Sequence, residues 1–328
     1  MGPLDVVGIG NAIVDVLTHA DDAFLARHKL AKGAMTLVNE TDAERIYAAM
    51  GPGIEISGGS AANTIAGVAS LGRRAAFIGK VRDDQLGAVF RHDIRAQGVV
   101  FDTPAAASGP ATARSMIVVT PDAQRTMNTY LGACVGLTPG DVDPALIGAA
   151  EITYLEGYLW DAPAAKAAMR RAMELAHKAG RRVALTLSDS FCVERYREEF
   201  LHLVENGIDV LFANEGEIRA LYGTRDFDEA LQLVRRRVPI AALTRSARGS
   251  VIVAGAEIHV IDAHPVAKVV DTTGAGDLYA AGFLGGLARG YDLGRCGRMA
   301  SLCAAEAIAH IGARPQVNLR ELELQTFG

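Results

Sequence analysis

The stretch Asp271-Thr272-Thr273-Gly274-Ala275-Gly276-Asp277 brings together the residue types that phosphoryl transfer requires. Gly274, Ala275 and Gly276 are too small to shield their backbone N–H groups, and an apolar, glycine-spaced helix from about Ala275 to Arg289 is expected to begin there. N–H groups at the positive end of a helix dipole suit a phosphate. Asp277 falls in the first turn, where it would accept a proton from a substrate hydroxyl held against that phosphate. Taken alone, the stretch reads equally as a strand-to-helix turn whose acidic residue complements the dipole.

Three other polar groups have spacings that suit the same chemistry. Gly58-Gly59-Ser60-Ala61-Ala62-Asn63 is a second glycine-opened helix start, with Ser60 as N-cap and Asn63 one turn in. Adjacent glycines let a ligand approach the backbone, and Asn63 would bond to one of its hydroxyls. Asn11 and Asp15 lie just past the first strand, at the carboxyl end where open α/β sheets bind ligands. An amide and a carboxylate there take the paired hydroxyls of a sugar, or serve as turn chemistry and a solvated residue. Asn214 and Glu217 follow an apolar strand and face the same way on a helix. They would orient the waters of a Mg²⁺ ion, or simply cap the helix. Two familiar nucleotide motifs are excluded. Ile13 stands where Gly8-Ile9-Gly10-Asn11-Ala12-Ile13 would need its third glycine, and Gly79-Lys80 runs into Val81, so no P-loop forms.

The elements that must position these groups alternate between short apolar runs and longer helical patterns. Strands are expected near Val6 to Gly10, Ala75 to Gly79, Ile152 to Leu155, Arg182 to Leu187, Val210 to Ala213 and Ile240 to Thr244. Helices are expected at Ser60 to Leu71, Gln85 to Gln97, Pro163 to Ala179, Arg195 to Asn206, Asn214 to Tyr222, Asp226 to Arg236, Ala275 to Arg289 and Leu293 to Ile311. The pattern predicts an α/β fold, a doubly wound, mostly parallel sheet with helices on both faces. Val251 to Ala254 and Ile258 to Ile261 read as a hairpin on its edge. β-prone segments near 12–20, 34–39 and 99–131 have no long helix beside them and are expected to form a small β-sheet lid within one domain spanning 1–328.

Composition removes several other classes. The 328 residues are 50% hydrophobic, enough to bury a large core, and the net charge of −5 offers no basic stripe for nucleic acid. Arg235-Arg236-Arg237 reads as the solvated end of a helix. No signal peptide and no apolar run of about 18 to 20 residues is read, so neither secretion nor a membrane span is expected. Cys134, Cys192, Cys296 and Cys303 are widely spaced without a zinc pattern and fit a reducing cytoplasm.

Taken together and in order, Gly58-Gly59-x-x-x-Asn63, Asn214-x-x-Glu217 and Asp271-Thr272-Thr273-Gly274-Ala275-Gly276-Asp277 resemble the ribokinase-like, or PfkB, family of carbohydrate and nucleoside kinases. The resemblance covers nearly the whole chain. It implies a doubly wound α/β domain with a β-sheet lid, ATP as co-substrate, Mg²⁺, and a sugar or nucleoside hydroxyl as acceptor. Asp277 then corresponds to the catalytic base and Gly274, Ala275 and Gly276 to the anion hole. Asn214 and Glu217 correspond to the motif organising Mg²⁺ and ATP phosphates, and Thr244 and Gly249 to part of the nucleotide pocket. Asp271 and Thr273 lie in the loop through which many members bind a monovalent cation, usually K⁺.

Within the family, Gly8 to Asp15, Asp209 to Glu215 and Arg125 through Ala133 resemble the adenosine kinases. That likeness implies transfer to the 5′-hydroxyl of adenosine or a close nucleoside. Asn11, Asp15, Gly58, Gly59 and Asn63 would hold the ribose, and Met35, Leu37 and Leu131 would form the lid contacts. Leu159 stands where those enzymes stack an aromatic ring, with Tyr158 and Trp160 beside it. A kinase for ribose, fructose or a 2-keto-3-deoxy sugar acid is the alternative, and a non-catalytic ligand-binding member a second. Either a monomer or a homodimer is compatible with the family.

Overall fold

A computed structural model describes residues 2–122 and 124–328. Its main sheet has eight strands, in spatial order Glu257–Ile261, Ser250–Ala254, Ile240–Thr244, Val210–Asn214, Arg182–Thr186, Ala150–Glu156, Leu4–Ile9 and Ala75–Ile78. The six strands from Ile240–Thr244 to Ala75–Ile78 pair in parallel, and Ser250–Ala254 pairs antiparallel with both Ile240–Thr244 and the edge strand Glu257–Ile261. The parallel strands are apolar almost throughout because helices cover both faces, and one hydrophobic cluster lies on each side. From Leu4–Ile9 the chain crosses to Ala75–Ile78 on one side, and from Ala150–Glu156 it winds away on the other. The crevice between Leu4–Ile9 and Ala150–Glu156 is therefore the topological switch point, the place where such sheets bind ligands.

A second sheet of five strands runs in the order Met35–Leu37, Arg125–Tyr130, Ala113–Val119, Ile13–His19 and Ile54–Gly58. Ile54–Gly58 was not expected as a strand, since its short Ile-Glu-Ile alternation sits at an edge with Ile54 66% exposed. Residues 99–112, expected in the lid, instead run along the main sheet, with bridges from Val100 to Ala76 and from Ala106 to Arg82. The registers place Ile56, Asp15, Ser115, Thr129 and Leu37 in one rung across the small sheet. Ile54, Leu17, Ile117, Met127 and Met35 form the next rung on the same face.

Several boundaries moved for local reasons. The helix expected from Arg195 to Asn206 is two, Ser190–Arg195 and Arg197–Asn206, separated by Tyr196 in a non-helical conformation. Short helices at Asp22–His28, Glu40–Ala49 and Pro144–Ala149 and the terminal Leu319–Phe327 lacked a long apolar period and were not anticipated. Helix Ala275–Ala288 is buried on every side from Leu278 to Leu287, as an apolar helix in a large core should be. Its neighbour Ser60–Ser70 packs close because its contact residues are small: a side chain at Gly67 would collide with Leu278 and Ala281.

Candidate active site

The close packing of these two helices carries their first turns to one point. Ser60 Oγ donates to Asp277 Oδ1 at 2.7 Å, and Asn63 Nδ2 donates to Asp277 Oδ2 at 2.9 Å. Ser60 is thus not the N-cap: Gly59 is, with no side-chain cap, and Ser60 spends its hydroxyl on the carboxylate. Asn63, expected to meet a substrate hydroxyl, holds Asp277, while its buried Oδ1 has no partner among the described residues. Burial raises the Asp277 pKa above the ordinary carboxylate value, and the donors Asn63 and Ser60 and the charge of Arg314 oppose that rise.

Gly59 is a glycine of necessity. Its φ is +97°, and a Cβ would run into the carbonyl oxygen of Asn11. Gly58 leaves room for Asp15, whose carboxylate would strike any side chain there. Asp15 projects from the small sheet, and burial pushes its pKa up to about 6 against the pull of Arg125 and Arg314, with Asp277 adding to the rise.

Beneath this turn lies a carboxylate that the sequence reading missed. Glu156, 1% exposed at the end of strand Ala150–Glu156, accepts Asn11 Nδ2 at 2.7 Å and the Ala61 N–H at 2.8 Å. It supplies from below the cap that Gly59 cannot give, and it spans the switch point. Burial pushes its pKa up to about 7 despite these donors. Asn11 is 4% exposed and is fixed by this bond.

At the other helix start, Gly274 is in the left-handed region at φ +78° and is pressed against Ala313. By contrast, a Cβ on Gly276 would meet nothing within 4 Å. The first turn is therefore open to solvent at Gly276, beside the N–H groups that suit a phosphate. Asp271 closes the loop: Thr273 N–H donates to its Oδ1 at 3.0 Å, Gly312 N–H to its Oδ2 at 3.0 Å, and Arg125 forms a buried ion pair with Oδ2. Asp271, expected with Thr273 to hold a K⁺ ion, here has Arg125 and two backbone N–H groups as its partners. Thr273 contributes its backbone N–H to the same loop.

The remaining candidates divide between those that line the cleft and those that do not. Asn214 and Glu217 come together as a reciprocal capping box: Asn214 Oδ1 accepts the Glu217 N–H at 2.9 Å, and Glu217 Oε2 accepts the Asn214 N–H at 2.9 Å. Asn214 Nδ2 donates to Glu217 Oε1 at 2.6 Å, and burial pushes the Glu217 pKa up to about 7. Such a pair suits contact with a hydrated ion through water, not direct ligation. Among the described residues, no group of three or more His, Cys, Asp or Glu is arranged to hold a metal. Thr244 ends its strand opposite Ser250, and Gly249 closes the adjoining turn at φ +74°.

Met35 and Leu37, 46% and 54% exposed, lie on the small sheet's edge strand, and Leu131 is half-buried after strand Arg125–Tyr130. Leu159 does not line the cleft. It is 1% exposed in the 3₁₀ turn Gly157–Asp161, which directs both Leu159 and Trp160 into the core of the main sheet. Burial, and after it the charges of Asp189, Glu156, Glu217 and Asp277, push the ionisation of the neighbouring Tyr158 well above the usual phenol range.

The chain is similar to known kinases. Residues 55–319 match the pfkB family carbohydrate kinase profile. A crystal structure of adenosine kinase from Sinorhizobium meliloti is 55% identical with a TM-score of 0.92, covering 99% of both chains. A probable sugar kinase protein from Rhizobium etli is 50% identical with a TM-score of 0.93, again over 99% of each. The ATP-dependent ribose-1-phosphate kinase of Halopiger xanaduensis is 31% identical over 268 residues, 78% of this chain and 82% of that one. The chain belongs to the pfkB family and has its ribokinase-like fold.

Proposed function

We propose that this pfkB-family phosphotransferase transfers the γ-phosphoryl group of ATP to the 5′-hydroxyl of adenosine or a close nucleoside. The observation that carries the reading is the pair of rungs on the small sheet. The polar rung with Asp15, Ser115 and Thr129 suits ribose hydroxyls, and the apolar rung with Leu17, Ile117, Met127 and Met35 suits the flat face of a base. The high identity to the adenosine kinase structure supports the same acceptor.

In this reading the small sheet acts as a lid. Asp15 and the Gly58-Gly59 turn hold the ribose, with Asn11 fixed behind them. Asp277, oriented by Ser60 and Asn63, accepts the proton of the attacking hydroxyl. The backbone from Gly274 to Asp277, whose first turn is open at Gly276, stabilises the charge on the transferred group. Mg²⁺ accompanying ATP would neutralise phosphate charge, with Asn214 and Glu217 reaching it through water.

A second reading, a sugar kinase, is favoured by the Asp15-Ser115-Thr129 rung taken alone and by the withdrawal of Leu159 from the cleft. An ADP-release assay over adenosine, other nucleosides, ribose, ribose 1-phosphate, fructose and a 2-keto-3-deoxy sugar acid separates the two. Adenosine is expected to exceed every sugar in kcat/KM by about 100-fold or more. Turnover confined to a sugar would overturn the nucleoside assignment.

A further inference from the structure

One side chain reaches the catalytic cluster from the far end of the sequence. Arg314 lies between helices Leu293–Ile308 and Leu319–Phe327, and its guanidinium enters the base of the cleft. Nε donates to the Ser57 carbonyl at 2.9 Å, and one terminal nitrogen donates to Ser57 Oγ at 2.8 Å. The other terminal nitrogen donates to the Ala62 carbonyl at 2.7 Å and to Gln97 Oε1 at 3.3 Å. One planar fork thus ties the small-sheet strand Ile54–Gly58 to the first turn of helix Ser60–Ser70 and to the end of helix Gln85–Ala96. Ser57 is gripped from its other side by Asp93, which accepts the Ser57 N–H at 2.8 Å and Oγ–H at 2.5 Å. Between the anchors Ser57 and Ala62 lie Gly58, Gly59, Ser60 and Ala61, so the glycine turn that sets where Ser60 and Asn63 point is held at both ends.

None of the four acceptors is a carboxylate, which is unusual for a guanidinium held in a site where burial lowers its pKa to about 10. Taking a charge out of water without pairing it is expensive, and a neutral amide would make similar clamps at less cost. The carboxylates that feel this charge are Asp93, Asp15 and Asp277.

We propose that Arg314 is a positioning residue of the phosphoryl-transfer site: its fork fixes the Gly58-Gly59 turn so that Ser60 and Asn63 meet Asp277, and its charge faces Asp15 and Asp277 across the base of the cleft. The proposal rests on Asp277 being the base. The groups facing Asp277 are Ser60 and Asn63 from helix Ser60–Ser70, Asp15 from the small sheet, Tyr154 and Glu156 from strand Ala150–Glu156, and Tyr158 beyond it. Arg125 faces Asp15, and Arg314 is the cation acting on Asp277.

The test measures kcat, KM and the kcat–pH profile of wild type, Arg314→Met and Arg314→Lys, using whichever acceptor the wild type phosphorylates, with circular dichroism to check folding. Arg314→Met is expected to lower kcat about 10- to 100-fold with KM for ATP nearly unchanged, and to move the acidic limb up by about one pH unit. Arg314→Lys keeps the charge but not the fork, so its limb should move less than that of Arg314→Met while kcat still falls about tenfold. A folded Arg314→Met with wild-type kcat and limb overturns the proposal. So does a loss of kcat in both variants with neither limb moved, which would mark a structural role alone. If Arg314→Met fails to fold, wild-type kcat in Arg314→Lys overturns it. A wild type that phosphorylates no acceptor refutes the kinase reading itself.

Discussion

Replacing Ser60 by Ala isolates one of the two donors that hold Asp277 and has a calculable effect. The Ser60 Oγ–Asp277 bond is 2.7 Å long, and the backbone cap of this helix is Gly59, so the substitution leaves the helix start intact. A hydrogen bond to a charged group is worth about 1.5 to 3 kcal/mol, and about 1.36 kcal/mol corresponds to one pKa unit. The lost donor favoured the ionised form, so the Asp277 pKa should rise further, by about 1 to 2 units. The base must be ionised to accept a proton, so activity is lost as pH falls through its pKa. The acidic limb of kcat should therefore move to higher pH by the same amount, while the plateau above it changes little. Coupled ADP release at saturating ATP and acceptor, from about pH 5 to about pH 9, reads this directly. A limb that stays in place, or moves to lower pH, would refute the claim that Ser60 serves the base. A large fall of the plateau with an unmoved limb would assign Ser60 to the substrate instead.

Gly59→Ala should cost roughly 3 to 5 kcal/mol in urea unfolding, since Ala would be strained at φ +97° and its Cβ would run into the Asn11 carbonyl. A loss below about 1 kcal/mol would mean that the turn is not the rigid frame described. Stability of the ligand-free protein should fall between about pH 4.5 and 7. Glu156 and Glu217 both rise from 4.5 to about 7 on folding, so the native state binds the extra protons, and each costs about 3 kcal/mol once ionised. A urea midpoint that increases with pH across that window would contradict this sign.

The sequence exposed the parts of the site that sit in local patterns. Asp277 was legible because three small residues precede it and a long apolar helix follows. The strands of the main sheet were legible because both faces are buried and the runs are continuously apolar. Glu156 was missed for a narrow reason. It is the last residue of a strand read as ending at Leu155, and its role depends on Asn11, 145 positions away. Arg314 lies in a segment without period, and its partner Ser57 is 257 residues distant, so no local pattern could announce it. Asn214 and Glu217 were legible as a pair, yet their spacing could not separate ion binding from capping, because both demand the same three-residue offset. Leu159 was misplaced because alignment to an aromatic position fixes sequence order and not the direction of a 3₁₀ turn.

Asp277→Asn tests the central claim most directly, because it keeps the size of the side chain and removes the carboxylate that accepts a proton. With the acceptor that the wild type phosphorylates, kcat should fall about 10²- to 10⁴-fold while KM for ATP stays within about threefold. A folded Asp277→Asn protein whose kcat remains within about threefold of wild type would contradict the assignment of Asp277 as the base.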